Sequence, residues 1–263
     1  MRWFSRVATA FYIVAIPILL ITANVRFLAG DVRFYERGFR AHDAAERSGI
    51  PLPELDRAAR EIIDYFENDA GTLRILVTDQ GEETSLFNQR ETGHMRDVKD
   101  LMRAVFRLNE ITLAYVLAYI AGVFLWAGAG TLRRLALETL AGVGLGIAVT
   151  ALVGALALVG FDAAWTRFHE ILFSSGSWQF NTATDHLIQI FPEPFWEETT
   201  VLLAVFTIAE SAALSLLMGA CLLLGRAKGP ADGTQPGPPE PQRPVRVRAR
   251  RPRPTDIGGE TAD

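Results

Sequence analysis

The chain holds a single cysteine, Cys221, among its 263 residues. One thiol excludes an intrachain disulfide framework and a cysteine metal site. Cys221 lies inside an apolar run, where it reads as a small buried hydrophobe. Histidine is also scarce, with four in all. Neither a His-Glu-x-x-His nor a Gly-x-Ser-x-Gly motif is present, and the second absence argues against a serine hydrolase built on a nucleophile elbow. There is no phosphate-binding glycine loop, no nucleic-acid module and no internal repeat. Over four long stretches charge itself is nearly missing. These are residues 7–27, 111–131, 135–161 and 199–224.

Crossing a bilayer takes about 20 mostly apolar residues, so each of the four runs qualifies as a transmembrane helix. Together they account for a composition that is 49% hydrophobic although the rest of the chain is polar. The expected fold class is a mostly α integral membrane protein with four transmembrane helices. A small extracytoplasmic α(+β) domain is expected between spans 1 and 2, and an interfacial loop between spans 3 and 4.

Lys and Arg in short flanks mark the cytoplasmic side. Arg2 and Arg6 precede the first run, Arg133 and Arg134 join the second to the third, and Arg226 and Lys228 follow the fourth. All three clusters share one side if there are four spans, which puts both termini in the cytoplasm and residues 28–110 and 162–198 outside. Residues 31–107 carry 12 Lys and Arg against 16 Asp and Glu, and a segment of that length translocates whatever its charge. Arg2 and Arg6 also resemble the n-region of a signal peptide, but the apolar run is long and Ile21 with Ala23 makes a poor cleavage site. The expected organisation is transmembrane helix 1 over 1–27, the extracytoplasmic domain over 28–110, helices 2 and 3 over 111–161, the interfacial loop over 162–198, helix 4 over 199–225 and a disordered basic cytoplasmic tail over 226–263. The tail contains PVRVRARRPRP at 244–254, a composition that cannot bury a core and that either rests on anionic lipid or is solvated.

Local patterns fill in this outline. Residues 53–66 place Leu55, Ala58, Ala59, Ile62, Ile63 and Phe66 on one helical stripe. Residues 36–52 read as a polar connection. Residues 71–79 read as a short strand, paired with 86–88 across a turn at Gln80–Gly81. Residues 90–107 read as a helix that runs on into the second span. Gly142-x-x-x-Gly146 allows close helix approach. Glu210, near the middle of the fourth span, carries an insertion cost of about 2.5–3.5 kcal/mol and must be protonated, paired or turned to a polar cavity. Trp165, Trp178, Phe191, Phe195 and Trp196 suit an interfacial aromatic belt, and Pro192 and Pro194 interrupt any helix through that loop.

The segment LFNQRETGHMRDVK, residues 86–99, places His94 three residues after Glu91 and three before Asp97. On a helix these share a face, so a carboxylate is expected beside the imidazole, fixing its tautomer and raising its basicity. His169 lies in the other long segment assigned to the same side. Three readings stay open from the residues alone: acid–base work on an acyl group, a metal site that joins Glu91-x-x-His94 to His169, Glu170, Asp185 and His186, or interfacial histidines without chemistry. A metal-dependent membrane hydrolase and a non-enzymatic membrane sensor or scaffold are the corresponding alternatives to an acyltransferase.

Four spans with the N terminus inside, the LFNQRETGHMRDVK segment, FHEILF around His169 and WQFNTATDHLIQIFPEPFW at 178–196 together resemble the lipoprotein intramolecular transacylase family over about residues 1–226. The resemblance implies a bacterial cytoplasmic-membrane enzyme without metal or cofactor. Such enzymes move the sn-2 acyl chain of a diacylglyceryl-cysteine lipoprotein to the cysteine α-amine. The family's two functional histidines map onto His94 and His169. With them Glu91 and Asp97 are candidate catalytic residues, with His94 as base and His169 as acid or oxyanion stabiliser, or the reverse. Arg26, Tyr35, Trp178, Asp185 and His186 are candidate substrate contacts. The implied partners are diacylglyceryl-modified lipoproteins and membrane lipids, with no nucleic acid.

Overall fold

The computed structural model describes residues 2–79, 81–126, 131–173 and 176–227. The basic tail expected from 226 lies, from residue 228 on, outside the described residues, as does Gln80 of the expected turn.

Among the described residues, four helices are long and apolar enough to cross a membrane. They are α1 (Arg2–Gly30), α5 (Gln89–Trp126), α6 (Thr131–Val159) and α9 (Glu193–Ala227). Between α1 and α5 come α2 (Val32–Ala41), α3 (Ala44–Ser48), α4 (Leu52–Glu67) and a hairpin of β1 (Leu76–Asp79) with β2 (Glu82–Ser85). Between α6 and α9 come α7 (Phe161–Leu172) and α8 (His186–Ile190). A 38-residue helix such as α5 is about 57 Å long, roughly twice the hydrocarbon thickness. Its first 22 residues carry Arg90, Glu91, Arg96, Asp97, Lys99, Asp100, Arg103, Arg107 and Glu110, so the part that lies in lipid is its C-terminal stretch.

Helix α1 packs on α5 and α6 and more lightly on α9, while α6 packs along α9. In lipid a polar group finds no water and must be met by another helix, and the bundle follows that rule. The Tyr12 hydroxyl pairs with that of Thr139 at 2.9 Å, and its ring stacks on Tyr119 at 4.3 Å. Asn109 donates to Thr22 Oγ1 at 3.1 Å. Glu210 accepts from Asn24 Nδ2 at 2.9 Å, so its partner is on α1. The small residues of α6 do the packing expected of them. A Cβ at Gly142 would come within 2.8 Å of the Ile13 carbonyl oxygen, and one at Gly146 within 3.2 Å of Pro17.

The two long connections share one core. Phe39, Ala44, Leu55, Ile62, Val77, Phe87 and Met95 from the first meet Leu187, Ile190, Phe191 and Phe195 from the second. They therefore lie on one side of the bundle. Helix α4 coincides with the expected amphipathic helix, with Tyr65 added to its buried stripe. Two expectations need correction. Residues 36–52 are not a plain connection but hold most of α2 and all of α3. Asp31 caps α2 by accepting from the Arg33 N–H at 3.1 Å, and Tyr35 and Phe39 supply its buried face. The partner of the first strand is 82–85, not 86–88. Gly81 has φ near +91°, the left-handed backbone a two-residue hairpin loop requires, so pairing begins directly after the turn. Only Leu86, whose N–H reaches the Ile75 carbonyl at 2.9 Å, continues it.

Gly142→Ala should lower bundle stability by about 1–3 kcal/mol through overpacking, read as a fall in the thermal midpoint in detergent. Gly144→Ala, where a Cβ meets nothing within 4 Å, should leave the midpoint unchanged or slightly raised.

Candidate active site

His94 stands in the second turn of α5 and His169 near the end of α7. Their rings lie 6.0 Å apart, tilted by 26°, and the residues are 6% and 7% exposed. Aromatic rings enclose the pair. Phe173 (4.8 Å) and Phe180 (5.4 Å) pack on His94. Trp165 (4.4 Å) and Trp178 (4.9 Å) pack on His169. Helical spacing supplies one of these contacts, since Trp165 stands four residues before His169, and Phe173, just past the end of α7, also lies 5.4 Å from the His169 ring.

The tautomer of His169 is set by its surroundings. Its Nδ1 lies 2.9 Å from the Trp165 carbonyl oxygen. That oxygen can only accept, so Nδ1 carries the proton and Nε2 keeps a lone pair. The Nδ1 atom of His94 is buried and has no hydrogen-bond partner among the described residues. Burial, with the second imidazole alongside, pushes the His94 pKa down to about 4. Burial also lowers the His169 pKa, against the opposing pull of the Trp165 carbonyl. Both rings are thus neutral near pH 7 and lie side by side in an aromatic shell.

Neither carboxylate expected beside His94 bonds to it among the described residues. Glu91, 1% exposed, accepts from the Asn88 N–H at 2.7 Å and from the Leu187 N–H at 2.6 Å. Asn88 Oδ1 in turn accepts from the N–H of Arg90 and of Glu91. This reciprocal arrangement is a capping box, and Asn88-x-x-Glu91 was its signal in the sequence. Glu91 therefore starts α5 and ties it to the second connection instead of polarising His94. Its carboxyl is raised by burial, against the two N–H bonds. Asp97 makes no hydrogen bond or ion pair among the described residues.

Of the expected substrate contacts, only Trp178 touches the histidine pair. Asp185 accepts from Asn88 Nδ2 at 2.9 Å, from the Asn181 N–H at 2.6 Å and from the Arg90 guanidinium. Burial raises its carboxyl, and these donors outweigh that and hold it below the ordinary range. His186 Nδ1 bonds the Leu86 carbonyl at 2.7 Å, just beyond β2, and is half-buried. Arg26 pairs with Glu110 at 2.7 Å and covers the Phe106 ring. Tyr35 is buried and donates to the Ala29 carbonyl at 3.1 Å. His94, Glu91, His169 and His186 do not converge, and no group of three or more potential metal ligands occurs among the described residues. The sequence alone did not reveal the roles of Phe173, Phe180 and Arg90, because each reaches the site only through the fold. A separate cleft of about 180 Å³ lies where α1, α2 and α9 meet, between Phe27, Phe34, Phe195 and Phe206, with Arg33 and Arg37 at its rim.

The model of the family described as lipoprotein intramolecular transacylase Lit matches residues 10–196. An uncharacterised protein of Aquifex aeolicus is 30% identical over 147 residues, which make up 51% of this chain and 62% of that protein. The chain thus spans less than two thirds of that relative's length. Among solved structures, the in meso structure of the membrane integral lipoprotein intramolecular transacylase Lit from Bacillus cereus superposes with a TM-score of 0.69 at 16% identity, covering 86% of this chain and all of that one. A single-histidine variant of the same Bacillus cereus protein gives 0.67 at 17% identity, covering 86% and 95%. At these identities the likeness concerns the fold, which is that of a multi-pass membrane protein.

The lowered histidine pKa values make stability depend on pH. A folded-state pKa of about 4 for His94 lies below the ordinary 6.5 of an unfolded chain, so the unfolded state binds more protons between those values and stability falls as pH falls through that window. The thermal midpoint should decline from pH 6.5 toward pH 4, with a loss of roughly 3 kcal/mol from this group. His94→Gln should flatten the decline.

Proposed function

The chain belongs to the lipoprotein intramolecular transacylase family, and from that premise we propose that it moves the sn-2 acyl chain of a diacylglyceryl-cysteine lipoprotein to the cysteine α-amine. The observation that carries this reading is the pair of buried, neutral histidines in an aromatic shell. An α-amine has a pKa of about 7.7–8.0, so near neutrality it reacts through its unprotonated fraction and must shed a proton as it attacks the ester carbonyl. His169 Nε2 holds the lone pair that takes this proton, and His94 donates a hydrogen bond to the carbonyl oxygen as charge grows there. This assigns His169 as base, the second of the two assignments left open by the sequence. The bond from amine nitrogen to acyl carbon forms, and the bond from the sn-2 oxygen to that carbon breaks. The imidazolium returns its proton to the departing glycerol oxygen. No water, metal or redox partner enters, and the product is an N-acyl, S-monoacylglyceryl lipoprotein.

Charging one ring disfavours charging the other, since each lies in the field of its neighbour. The pair therefore carries one proton at a time, as a shuttle from nitrogen to oxygen needs. Both reacting groups belong to one substrate, so the protein contributes orientation and charge stabilisation. The Arg clusters at 2–6, 133–134 and beyond the fourth span support a bacterial cytoplasmic membrane location with both termini inside. The two connections that build the site then face outward, where the glyceryl ester lies while its acyl chains stay in lipid.

The test is mass spectrometry of a reporter lipoprotein's N-terminal peptide, coexpressed with this protein in a host that leaves the diacylglyceryl form. The expected product has unchanged total mass and one acyl chain on nitrogen. An unaltered diacylglyceryl peptide beside a folded, inserted protein would overturn the reading. His94→Ala and His169→Ala should each reduce transfer by about 10²–10⁴-fold. Because burial favours the neutral form of both imidazoles, the rate should rise with pH along the amine's titration near 7.7–8.0. A rate that instead climbs with a midpoint near 6.5 would count against neutral histidines.

A further inference from the structure

The buried Asp185 and the half-exposed Arg90 belong to neither the membrane bundle nor the histidine pair, yet they stand one residue layer from His94. Asp185 lies at the start of α8, and its side chain is 3% exposed. Its three donors come from two parts of the chain. Asn88 and Arg90 belong to the entry of α5, whereas the Asn181 N–H belongs to the segment that leads into α8. Asp185 therefore pins residue 181 and, with it, the adjacent Phe180. The guanidinium it holds lies 5.5 Å above the Phe180 ring, and the edge of that ring meets His94 at 5.4 Å. The order of contact is carboxylate, guanidinium, ring, imidazole.

We propose that Asp185 is a positioning residue that clamps Arg90 onto Phe180 and Phe180 onto His94, sealing the imidazole pair from water. Burial is the first cause of the neutral state of His94, and Phe180 is the part of its cover that belongs to the second connection and not to α7. A planar, delocalised guanidinium suits this task, because it can take a carboxylate along its edge while its face lies on an aromatic ring. The charged and titratable groups around His94 are Arg90, Glu91 and Asp97 on its own helix, His169 on α7, and Asp185 and His186 at α8. Glu91 and His186 are tied to backbone groups. This leaves the Asp185–Arg90 pair as the charged pair that acts on His94 through a ring.

The test is a histidine NMR titration of the full-length protein in micelles, with the His94 resonance assigned through His94→Gln. In the wild type His94 should titrate near pH 4. Asp185→Asn should move that midpoint upward by at least about one pH unit toward the ordinary 6.5, and Phe180→Ala should do the same with the ion pair intact. Asp185→Glu should restore the low value in part. Should Asp185→Asn fail to fold, Arg90→Lys serves instead, since it keeps the charge and loses the planar stack. A His94 midpoint unmoved in folded Asp185→Asn or Arg90→Lys protein and in Phe180→Ala overturns the proposal. The consequence for catalysis rests on the acyl-transfer reading, where the same variants should lose up to about 100-fold in transfer at pH 7. The titration needs no substrate. Shifted midpoints in a wild-type protein that transfers no acyl group would therefore sink the transfer reading and leave the clamp standing.

Discussion

The carboxylate of Glu91 is the contact on which the outer half of the molecule depends. It is buried among apolar side chains and satisfied by two backbone N–H groups, one at the entry to α5 and one at Leu187 in the second connection. A buried carboxylate without such donors costs several kcal/mol, and a buried backbone N–H without an acceptor is costly as well. Each side therefore needs the other. The bond links residues 96 apart in sequence, and around it the two connections close into one core. Without that closure α5 would carry His94 on a solvated helix, and nothing would bring Phe180 or His169 to it.

Closure also decides the chemistry. Two imidazoles in water would each titrate near 6.5. Enclosed by Trp165, Phe173, Trp178 and Phe180 they are held neutral, because a low-dielectric shell penalises the charged form and each ring adds to the penalty of the other. The aromatic residues of the second connection thus do more than sit at a lipid interface. They set the protonation state of the site, and the proposed transfer draws on that state when one ring accepts a proton from an amine and gives it up to an alkoxide.

Lipid sets a parallel constraint on the bundle. Glu210 is met by Asn24, Tyr12 by Thr139 and Asn109 by Thr22, so the polar residues of the spans are also their cross-links. Gly142 and Gly146 let α6 approach α1 closely enough for the Tyr12–Thr139 pair to form. The cross-links place α1 against the other three spans, and its continuation into α2 supports the outer core.

The sequence by itself determined the four spans, the amphipathic α4, the continuous α5 and the two histidines. Each rests on a local property: run length, a 3.6-residue period, or a rare side chain in an otherwise apolar chain. It also held the Asn88-x-x-Glu91 cap, although spacing alone equally pairs that carboxylate with His94. Spacing says which residues share a helix face and not which of several nearby donors a carboxylate will take. Only the tertiary structure decided that Glu91 turns to Leu187, that Asp185 binds Arg90, that His186 bonds the Leu86 carbonyl, and that Phe180 closes over His94. These pairings join segments about 70 to 100 residues apart. A contact at such separation is set by which groups would otherwise be left buried without a partner, a property of the packed molecule that no stretch of the chain carries alone.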